Sequence, residues 1–224
     1  MKLLSLDTST KNFSLAVVDG HKTLASQDVI LEKILSDSII PSIQKILKKA
    51  KVSISELDGF VVGLGPGSFT SLRVGLATVK GLAFSLRKPV AGVSSLDAIA
   101  MNVKGNCPQV CVLSDAKRNL VYACWYEKKD GSIKIKSNYL LTSVEDLLKK
   151  ARGEVALAGD GIQLYKKEIE KMKLKPIFTD EKLWYPKADQ LAVLAFKRFE
   201  EQKFDDIHKL VPIYLYPEDC QVQK

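Results

Sequence analysis

The sequence has few of the residues from which metal centres and disulfide frameworks are built. It contains two histidines and four cysteines among 224 residues, and no two cysteines form a Cys-x-x-Cys pair. We therefore predict neither a zinc site nor a disulfide framework, and no bound metal ion. Buried or chemically idle thiols are expected at the four cysteine positions, which are Cys107, Cys111, Cys124 and Cys220.

Long apolar runs are missing as well. No stretch approaches the roughly 18 consecutive apolar residues that a membrane helix needs, and the N-terminal segment reaches Asp7 too early for a secretory signal peptide. The composition, 46% hydrophobic and 27% charged, is typical of a globular protein and not of a disordered or fibrous one. We therefore expect a cytoplasmic protein without a membrane partner.

Four common catalytic and ligand-binding motifs are also absent. The glycine-rich segment 63–75 lacks the Gly-Lys-Ser/Thr of a Walker A loop, and Ser68 stands where a dinucleotide fingerprint needs its third glycine. Neither His-Glu-x-x-His nor Gly-x-Ser-x-Gly occurs in the chain. The sequence therefore argues against a P-loop NTPase, a dinucleotide-binding enzyme, a metalloprotease and an α/β hydrolase.

The sequence also lacks a segment in which charges of one sign are concentrated. The net charge is +8, but residues 1–103 hold 12 basic and 8 acidic residues and residues 104–224 hold 22 and 18, so each half carries +4. The densest lysine group is interleaved with glutamates and comprises Lys166, Lys167, Lys171, Lys173 and Lys175. Such a group is typical of a solvated helix face, and a direct contact with RNA is the alternative interpretation.

What the sequence does contain is an unusual turn within residues 63–75. The apolar run 60–62 predicts the end of a buried strand, and the glycines around Pro66 accept backbone angles that other residues resist. Ser68 or Thr70 can cap the helix that follows. A helix N-terminus of this kind can hold an anion such as phosphate, and a tight strand-to-helix connection without a ligand is the alternative.

Apolar residues recur with similar strand and helix periods in both halves of the chain. The first half predicts three short antiparallel strands within residues 1–28, then helix 30–50, strand 57–64, helix 68–86, strand 90–93 and helix 95–103. The second half repeats this outline with strands 110–114, 120–127 and 133–141, helix 143–150, strand 155–158, helix 162–173, strand 176–178 and helix 187–202. We therefore predict an α/β fold with two similar lobes around a shared cleft.

The repeat also predicts the domain boundaries. The N-terminal lobe, with partner-binding helices, is expected to span residues 1–103, and the C-terminal lobe residues 104–224. The final segment, from about residue 205 to 224, is expected to be able to pack back on the first lobe.

Several motifs are specific enough to suggest a family. The strongest are LSLDTST at 4–10, the segment 63–75, LATVKGLA at 76–83 and VAGVSSL at 90–96, and weaker ones are DAK at 115–117, AGDG at 158–161 and PKA at 186–188. With these motifs, which cover most of the chain, the sequence resembles the bacterial TsaB (YeaZ) proteins, which act in making threonylcarbamoyladenosine in transfer RNA. The resemblance implies the actin-like ATPase fold (ASKHA, RNase H-like) with two βββαβα-type lobes.

The resemblance further implies a non-catalytic subunit. Proteins of this family pair with the catalytic paralogue TsaD and the ATPase TsaE, which are therefore the expected partners, with a homodimer in isolation and contact with tRNA only through the complex. In TsaD-like proteins two histidines, four residues apart on the helix after the fifth strand, bind a metal. The matching positions here are Ser95 and Ile99. Since isoleucine cannot ligate a metal, the resemblance implies no transferase site and no catalytic residue.

A degenerate nucleotide cleft is a second implication of the resemblance. In active members of the superfamily the first hairpin turn holds phosphate and magnesium, and here that turn carries Asp7, Thr8 and Ser9. The cleft is expected to include Gly65 and Gly67. An aspartate followed by hydroxyl residues is also simply a favourable turn. Because the cleft of TsaB proteins is regarded as degenerate, we expect no cofactor, with ATP bound weakly, if at all, or only within the complex.

The helix predicted over 68–86 is expected to form a partner interface. It contains Gly75 and Gly81, each of which costs about 0.5–1 kcal/mol relative to alanine inside a helix, so a close contact should offset that cost. The contact is made either with helix 30–50 of the same lobe or with the helices of a second chain, as the resemblance implies. The predicted interface consists of Ser68, Thr70, Ser71, Leu72, Val74, Gly75, Thr78, Val79, Leu82, Ile39 and Ile43.

Four positions depart from the family pattern. Ser36 and Ser38 stand where a histidine and a glutamate are common, Ser71 replaces a frequent glycine, and Leu120 replaces a frequent acidic residue. Any role of those side chains in other members is therefore not carried over.

Two rival functions remain. The first is a self-sufficient actin-like ATPase or small-molecule kinase that uses Asp7 and the turn at 63–67, and the short chain argues against it because kinases of this superfamily usually carry insertions. The second is an RNA-binding adaptor, which the even charge distribution and the lack of an aromatic stacking patch disfavour.

Overall fold

The computed structural model describes residues 1–30, 35–149 and 151–217. The chain divides into two compact units. The first unit consists of Met1–Ala98 and Pro186–Ile213, and the second of Ile99–Tyr185 and the segment that begins at Tyr214. Within the described ranges, none of the helices combines the length and apolar character that a membrane crossing requires.

The first unit is built on a five-stranded mixed sheet with the order β3-β2-β1-β4-β5. Its strands are β1 (Lys2–Asp7), β2 (Asn12–Asp19), β3 (Lys22–Ile30), β4 (Gly59–Gly63) and β5 (Val90–Val93). The first three strands are antiparallel, whereas β4 and β5 run parallel to β1. The register places Leu4 opposite Val17 on one side and Phe60 on the other. The parallel central strands are buried from Leu3 to Asp7 in β1 and throughout β4, as parallel strands covered on both faces should be.

Helices cover both faces of this first sheet. They are α1 (Leu35–Ala50), α2 (Phe69–Leu86), the beginning of α3 (Ser95–Asn102) and, from later in the chain, α6 (Ala188–Glu200). On one face Leu4 and Leu6 join a core with α1 and α2. On the other face Leu3 and Val61 pack against α6. Because successive side chains of β1 point to opposite faces of the sheet, this strand contributes apolar residues to both cores.

The second unit repeats the strand order of the first. Its strands are β6 (Cys107–Lys117), β7 (Leu120–Lys129), β8 (Ser132–Ile135), β9 (Leu140–Thr142), β10 (Glu154–Ala158) and β11 (Lys175–Phe178), and its helices are α4 (Val144–Leu148) and α5 (Gly161–Ile169). The sheet has the order β11-β10-β6-β7-β8, with β9 paired to β7. In both units the first strand pairs with an antiparallel strand on one side, which in turn pairs with a further antiparallel strand. On its other side two successive parallel strands follow. The predicted two-lobed α/β architecture is confirmed.

Several predicted elements differ in their bounds. Ile30 ends β3 and does not begin the first helix, whose described part starts at Leu35. The single strand predicted over 133–141 is two strands, because the Ser137 hydroxyl accepts the Trp125 N–H at 3.0 Å and takes the place of a ladder bond. The helix predicted over 162–173 ends at Ile169, the last buried residue of its apolar stripe.

The position of α6 differs from the predicted lobe boundary at residue 103. Its apolar stripe, which includes Leu191, Ala195 and Phe199, covers the face of the first sheet that α1 and α2 leave open. Ser5 donates to the carbonyl oxygen of Ala188 at 2.5 Å, and the Ala188 N–H donates to the Ser14 hydroxyl at 2.8 Å. The sheet therefore takes its second layer from a distant part of the sequence.

The two glycines of α2 occupy very different surroundings. A Cβ atom built at Gly75 would overlap the Thr8 side chain, which belongs to the turn between β1 and β2. No atom lies within 4 Å of a Cβ built at Gly81. Gly75 therefore allows α2 to approach the turn between β1 and β2 of its own unit. This contact offsets the helix cost of Gly75, and it is made neither with helix 30–50 nor with a second chain, the two alternatives that the sequence left open.

This difference predicts opposite effects of one substitution at two positions of the same helix. Gly75→Ala should destabilise the protein by about 1–3 kcal/mol because its methyl group collides with Thr8. Gly81→Ala should stabilise it by about 0.5–1 kcal/mol through helix propensity alone. Urea unfolding of both variants measures the two changes, and equal effects at the two positions would contradict the packing described.

Candidate functional site

The site predicted around Asp7 is a contact between two turns of the first unit. The hairpin turn (residues 8–11) joins β1 to β2, and the glycine-rich turn (residues 63–68) joins the end of β4 to α2. The Ser68 N–H donates to the carbonyl oxygen of Ser9 at 2.7 Å, and a Cβ atom at Gly67 would overlap the Ser9 backbone. The two turns are therefore packed backbone against backbone.

A second bond joins the hairpin turn to the first turns of α2. The Thr8 hydroxyl donates to the carbonyl oxygen of Ser71 at 2.8 Å. The absence of a side chain at Gly75 leaves room for the Thr8 hydroxyl and methyl groups. Ser68 is the N-cap residue of α2, although its hydroxyl donates to Ser71 Oγ at 3.0 Å and makes no capping bond. The hairpin turn thus docks on both the glycine-rich turn and the helix that follows it.

Asp7 lies under this contact and is fully buried. Its Oδ1 accepts the Ser9 N–H at 2.8 Å and the Ser9 hydroxyl at 2.6 Å, and its Oδ2 accepts the Ser95 hydroxyl at 2.5 Å. A Cβ atom at Gly63 would overlap Oδ2. The carboxyl group is therefore enclosed on every side by groups of its own unit.

Burial controls the acidity of this group. Removal from water raises the pKa of Asp7 above its usual value, and the hydrogen bonds from Ser9 and Ser95 offset only part of that effect. A carboxyl group with three donors and no exposed surface must be uncovered before it can bind magnesium or accept a proton from a substrate.

Ser95 has a role in this contact that the sequence analysis did not predict. Its hydroxyl donates to Asp7 and accepts the Gly65 N–H at 3.0 Å, while its own N–H donates to the Gly65 carbonyl oxygen at 2.8 Å. The first residue of α3 therefore ties β1 to the glycine-rich turn. The available signal was the run of glycines itself, because Gly63 and Gly67 both leave space for a close neighbour.

The five predicted cleft residues thus come together, but as a packed junction. Asp7, Thr8 and Ser9 are each no more than 2% exposed. Gly65 is buried with a positive φ of 82°, and only Gly67 is partly exposed. This arrangement holds the hairpin turn in place and presents little polar surface to a ligand.

A similar device occurs in the second unit, at the end of β6. Asp160 accepts the Ser114 hydroxyl at 2.6 Å and the Asp115 N–H at 3.0 Å. Gly159 has a φ of 110°, and a Cβ atom there would overlap the Leu113 carbonyl oxygen. In this unit the carboxylate comes from the turn after β10 and not from the first strand.

The structure divides the predicted interface residues into two groups. The side chains of Leu72, Val79, Ile39 and Ile43 are at most 2% exposed and belong to the core of the first unit, and Gly75 is buried against Thr8. Because these five residues are buried within the first unit, they are not available to a partner on the surface of the chain. The members that retain exposure are Ser68, Thr70, Ser71, Val74, Thr78 and Leu82.

The exposed side of α2 includes Thr70 of the predicted interface and further residues outside it. We call this surface the α2 outer face; it consists of Thr70, Arg73, Ala77, Gly81 and Phe84, spaced three or four residues apart. Phe84 is 70% exposed, and the Arg73 guanidinium lies 3.7 Å from the ring centre of Phe69. The face combines small residues with an exposed aromatic ring.

Two of the described cysteines are buried and one is partly exposed. Cys111 and Cys124 are buried, and burial raises the pKa of the Cys111 thiol well above its usual value. Cys107 is partly exposed, and Cys220 lies outside the described residues. In the part of the chain that the structure describes, no group of three or more His, Cys, Asp or Glu residues could hold a metal ion.

Sequence comparisons connect this architecture to proteins of known assignment. A family model described as TsaD, tRNA N6-adenosine threonylcarbamoyltransferase, matches residues 29–221. The chain is 30% identical over 219 residues to the tRNA threonylcarbamoyladenosine biosynthesis protein TsaB of Bacillus subtilis, with 96% of this chain and 94% of that protein covered.

Solved structures agree with the sequence comparisons. YeaZ from Pseudomonas aeruginosa is 28% identical and has a TM-score of 0.83, with 96% of this chain and 99% of that chain covered. The activator of 2-hydroxyisocaproyl-CoA dehydratase from Clostridium difficile is 12% identical, has a TM-score of 0.51 over 96% of this chain and 100% of that chain, and shares the fold alone. The predicted actin-like ATPase fold is confirmed. With a family model over most of its length and a relative 30% identical along 96% of the chain, the protein belongs to the TsaB (YeaZ) family of tRNA threonylcarbamoyladenosine biosynthesis proteins.

Proposed function

We propose that this chain is a non-catalytic subunit of the complex that synthesises threonylcarbamoyladenosine in tRNA. It acts in the cytoplasm, where it dimerises with and activates TsaD together with TsaE, and it reaches tRNA through the complex. In isolation it forms a homodimer. The observation that supports the proposal most strongly is the burial of Asp7. The carboxyl group best placed for catalysis is enclosed and hydrogen-bonded where the two turns meet.

The residues at the start of α3 also support a non-catalytic role. Ser95 uses its hydroxyl to bind Asp7 and Gly65, and Ile99 has no atom that can ligate a metal. The resemblance places the metal-binding histidines of TsaD-like proteins at these two positions. Threonylcarbamoyl transfer is therefore assigned to the partner subunit.

The α2 outer face supports docking to that partner. An exposed aromatic ring beside small residues lets a second helix approach closely and bury apolar surface. Gly81 has open space around it, so its helix cost remains unexplained within the chain. Association through this face gives that glycine a role.

Reconstitution tests the proposal directly. Transfer of the threonylcarbamoyl group to tRNA by the TsaD and TsaE of the same organism should require this chain, and the chain alone should produce no modified nucleoside. Mass spectrometry of digested tRNA measures the product. Full activity of TsaD and TsaE without this chain would contradict the proposed function.

Substitution of the buried carboxyl group separates a scaffold from an independent ATPase or kinase. Asp7→Asn keeps the shape of the side chain, so the folded variant should support tRNA modification within about threefold of the unsubstituted protein, well below the ~10²-fold loss typical of removing a proton-transfer group. Thermal unfolding controls for folding. Magnesium-dependent ATP hydrolysis by the chain alone, abolished in Asp7→Asn, would favour the enzyme instead.

A charge placed on the α2 outer face tests the interface. Ala77→Glu should weaken association with TsaD at least tenfold, a loss of about 1.4 kcal/mol, because a carboxylate would be buried in the contact, and it should leave the melting temperature unchanged. Gln163→Glu, which adds the same charge to an exposed position on α5, is the matched control. Calorimetric titration with TsaD measures both, and equal affinities would place the interface elsewhere.

A further inference from the structure

A groove of about 380 Å³ lies between the edge strand β3 and the C-terminal half of α1. We call it the lysine groove; it is lined by Ser26, Gln27, Lys45, Ile46, Lys48 and Lys49. It is separate from the α2 outer face and from the packed contact of the two turns around Asp7, here called the Asp7 junction (residues 7–9, 63–68 and Ser95). The proposed function assigns it no role.

The charge of the lysine groove is of one sign. Lys45, Lys48 and Lys49 are exposed, and none of them forms an ion pair with another residue of the described ranges 1–30, 35–149 and 151–217. The lining contains no acidic residue. Two carboxylates close in sequence are engaged elsewhere, Asp28 with Lys187 and Glu56 with Lys2.

Helix geometry brings the three ammonium groups to one side of α1. Lys48 and Lys49 follow Lys45 by three and four residues, so the Cβ atom of each lies about 5–6 Å from that of Lys45. Ser26 and Gln27 add polar side chains from β3. The basic end of a helix also suits the helix dipole, but that effect needs neither a groove nor the polar residues across from it. The arrangement suits an extended anion with several negative charges.

The lining favours a nucleic acid backbone over an acidic peptide. Protein partners anchor themselves through apolar or aromatic side chains in pockets, and Ile46, the apolar member of this lining, is 1% exposed. Lysine, serine and glutamine are common contacts of phosphate oxygens. The lining has no aromatic ring for stacking bases, so contact would be with the backbone and independent of sequence.

We propose that the lysine groove binds consecutive phosphates of the tRNA substrate, so that this subunit contacts tRNA directly and helps to hold it on the complex. This proposal rests on the proposed function, in which the complex acts on tRNA. It replaces the indirect route to tRNA stated there with a direct contact, made by an RNA-binding surface of the non-catalytic subunit itself.

Neutralising the groove tests the proposal. The triple variant Lys45→Gln/Lys48→Gln/Lys49→Gln is compared with the control Lys167→Gln/Lys171→Gln/Lys173→Gln, which removes three exposed lysines that alternate with glutamates in the second unit. Binding of an unmodified tRNA transcript is titrated against salt, with the full chain alone and with the chain assembled with TsaD and TsaE. Because each phosphate contact contributes about 0.7–0.9 to the slope of log K against log salt, the groove variant should lower the slope by about two and weaken binding about tenfold at low salt, while the control changes neither.

The remaining outcomes separate the two proposals. An unchanged slope in the groove variant, or an equal loss in the control, would overturn the groove as an RNA site. Lost TsaD affinity with unchanged tRNA binding would also overturn it and would identify the groove as a protein interface. If no complex forms with the unsubstituted chain, the proposed function fails, and the titration of the chain alone still decides the groove. The variant Lys45→Arg/Lys48→Arg/Lys49→Arg should retain binding, which controls for changes in folding.

Discussion

The hydrogen bond from the Ser68 N–H to the Ser9 carbonyl oxygen, at 2.7 Å, is the contact on which the rest of the first unit depends. It holds the hairpin turn against the glycine-rich turn, and this packing seals Asp7 from water. Glycine at 63, 67 and 75 is required because any Cβ there would overlap Asp7, Ser9 or Thr8. A turn that looks suited to an anion is thus filled by the protein's own backbone.

Closure of this junction leaves the outer surfaces of the unit for function. Residues that could have bound phosphate instead join β1, α2 and the beginning of α3 through hydrogen bonds, and the second unit uses Asp160 in a comparable way. Elements that are already held together can present a helix face to a partner at a lower cost of ordering. The proposed roles of the α2 outer face and the lysine groove both follow from this division between a closed interior and exposed surfaces.

Much of the fold could be predicted from the sequence because apolar periodicity marks most of the strands and helices, and the motif around residues 63–75 identifies the family. Three features could not be predicted. The docking of α6 on the first sheet joins residues more than 180 positions apart, such as Ser5 and Ala188. The bond between Ser95 and Asp7 depends on tertiary contact. The contact of Gly75 with Thr8 is neither of the two contacts expected for this helix, because helical spacing alone cannot distinguish an inward from an outward glycine.

Amide hydrogen exchange, followed by NMR with and without magnesium ATP, tests the central claim that the Asp7 junction is a closed structural contact. The account predicts that the Ser9 and Ser68 amides exchange only on global unfolding, and that magnesium ATP alters neither their exchange rates nor their chemical shifts in the isolated chain. Fast exchange at these two amides, or a saturable change in their shifts on addition of nucleotide, would show an open binding cleft and contradict the account.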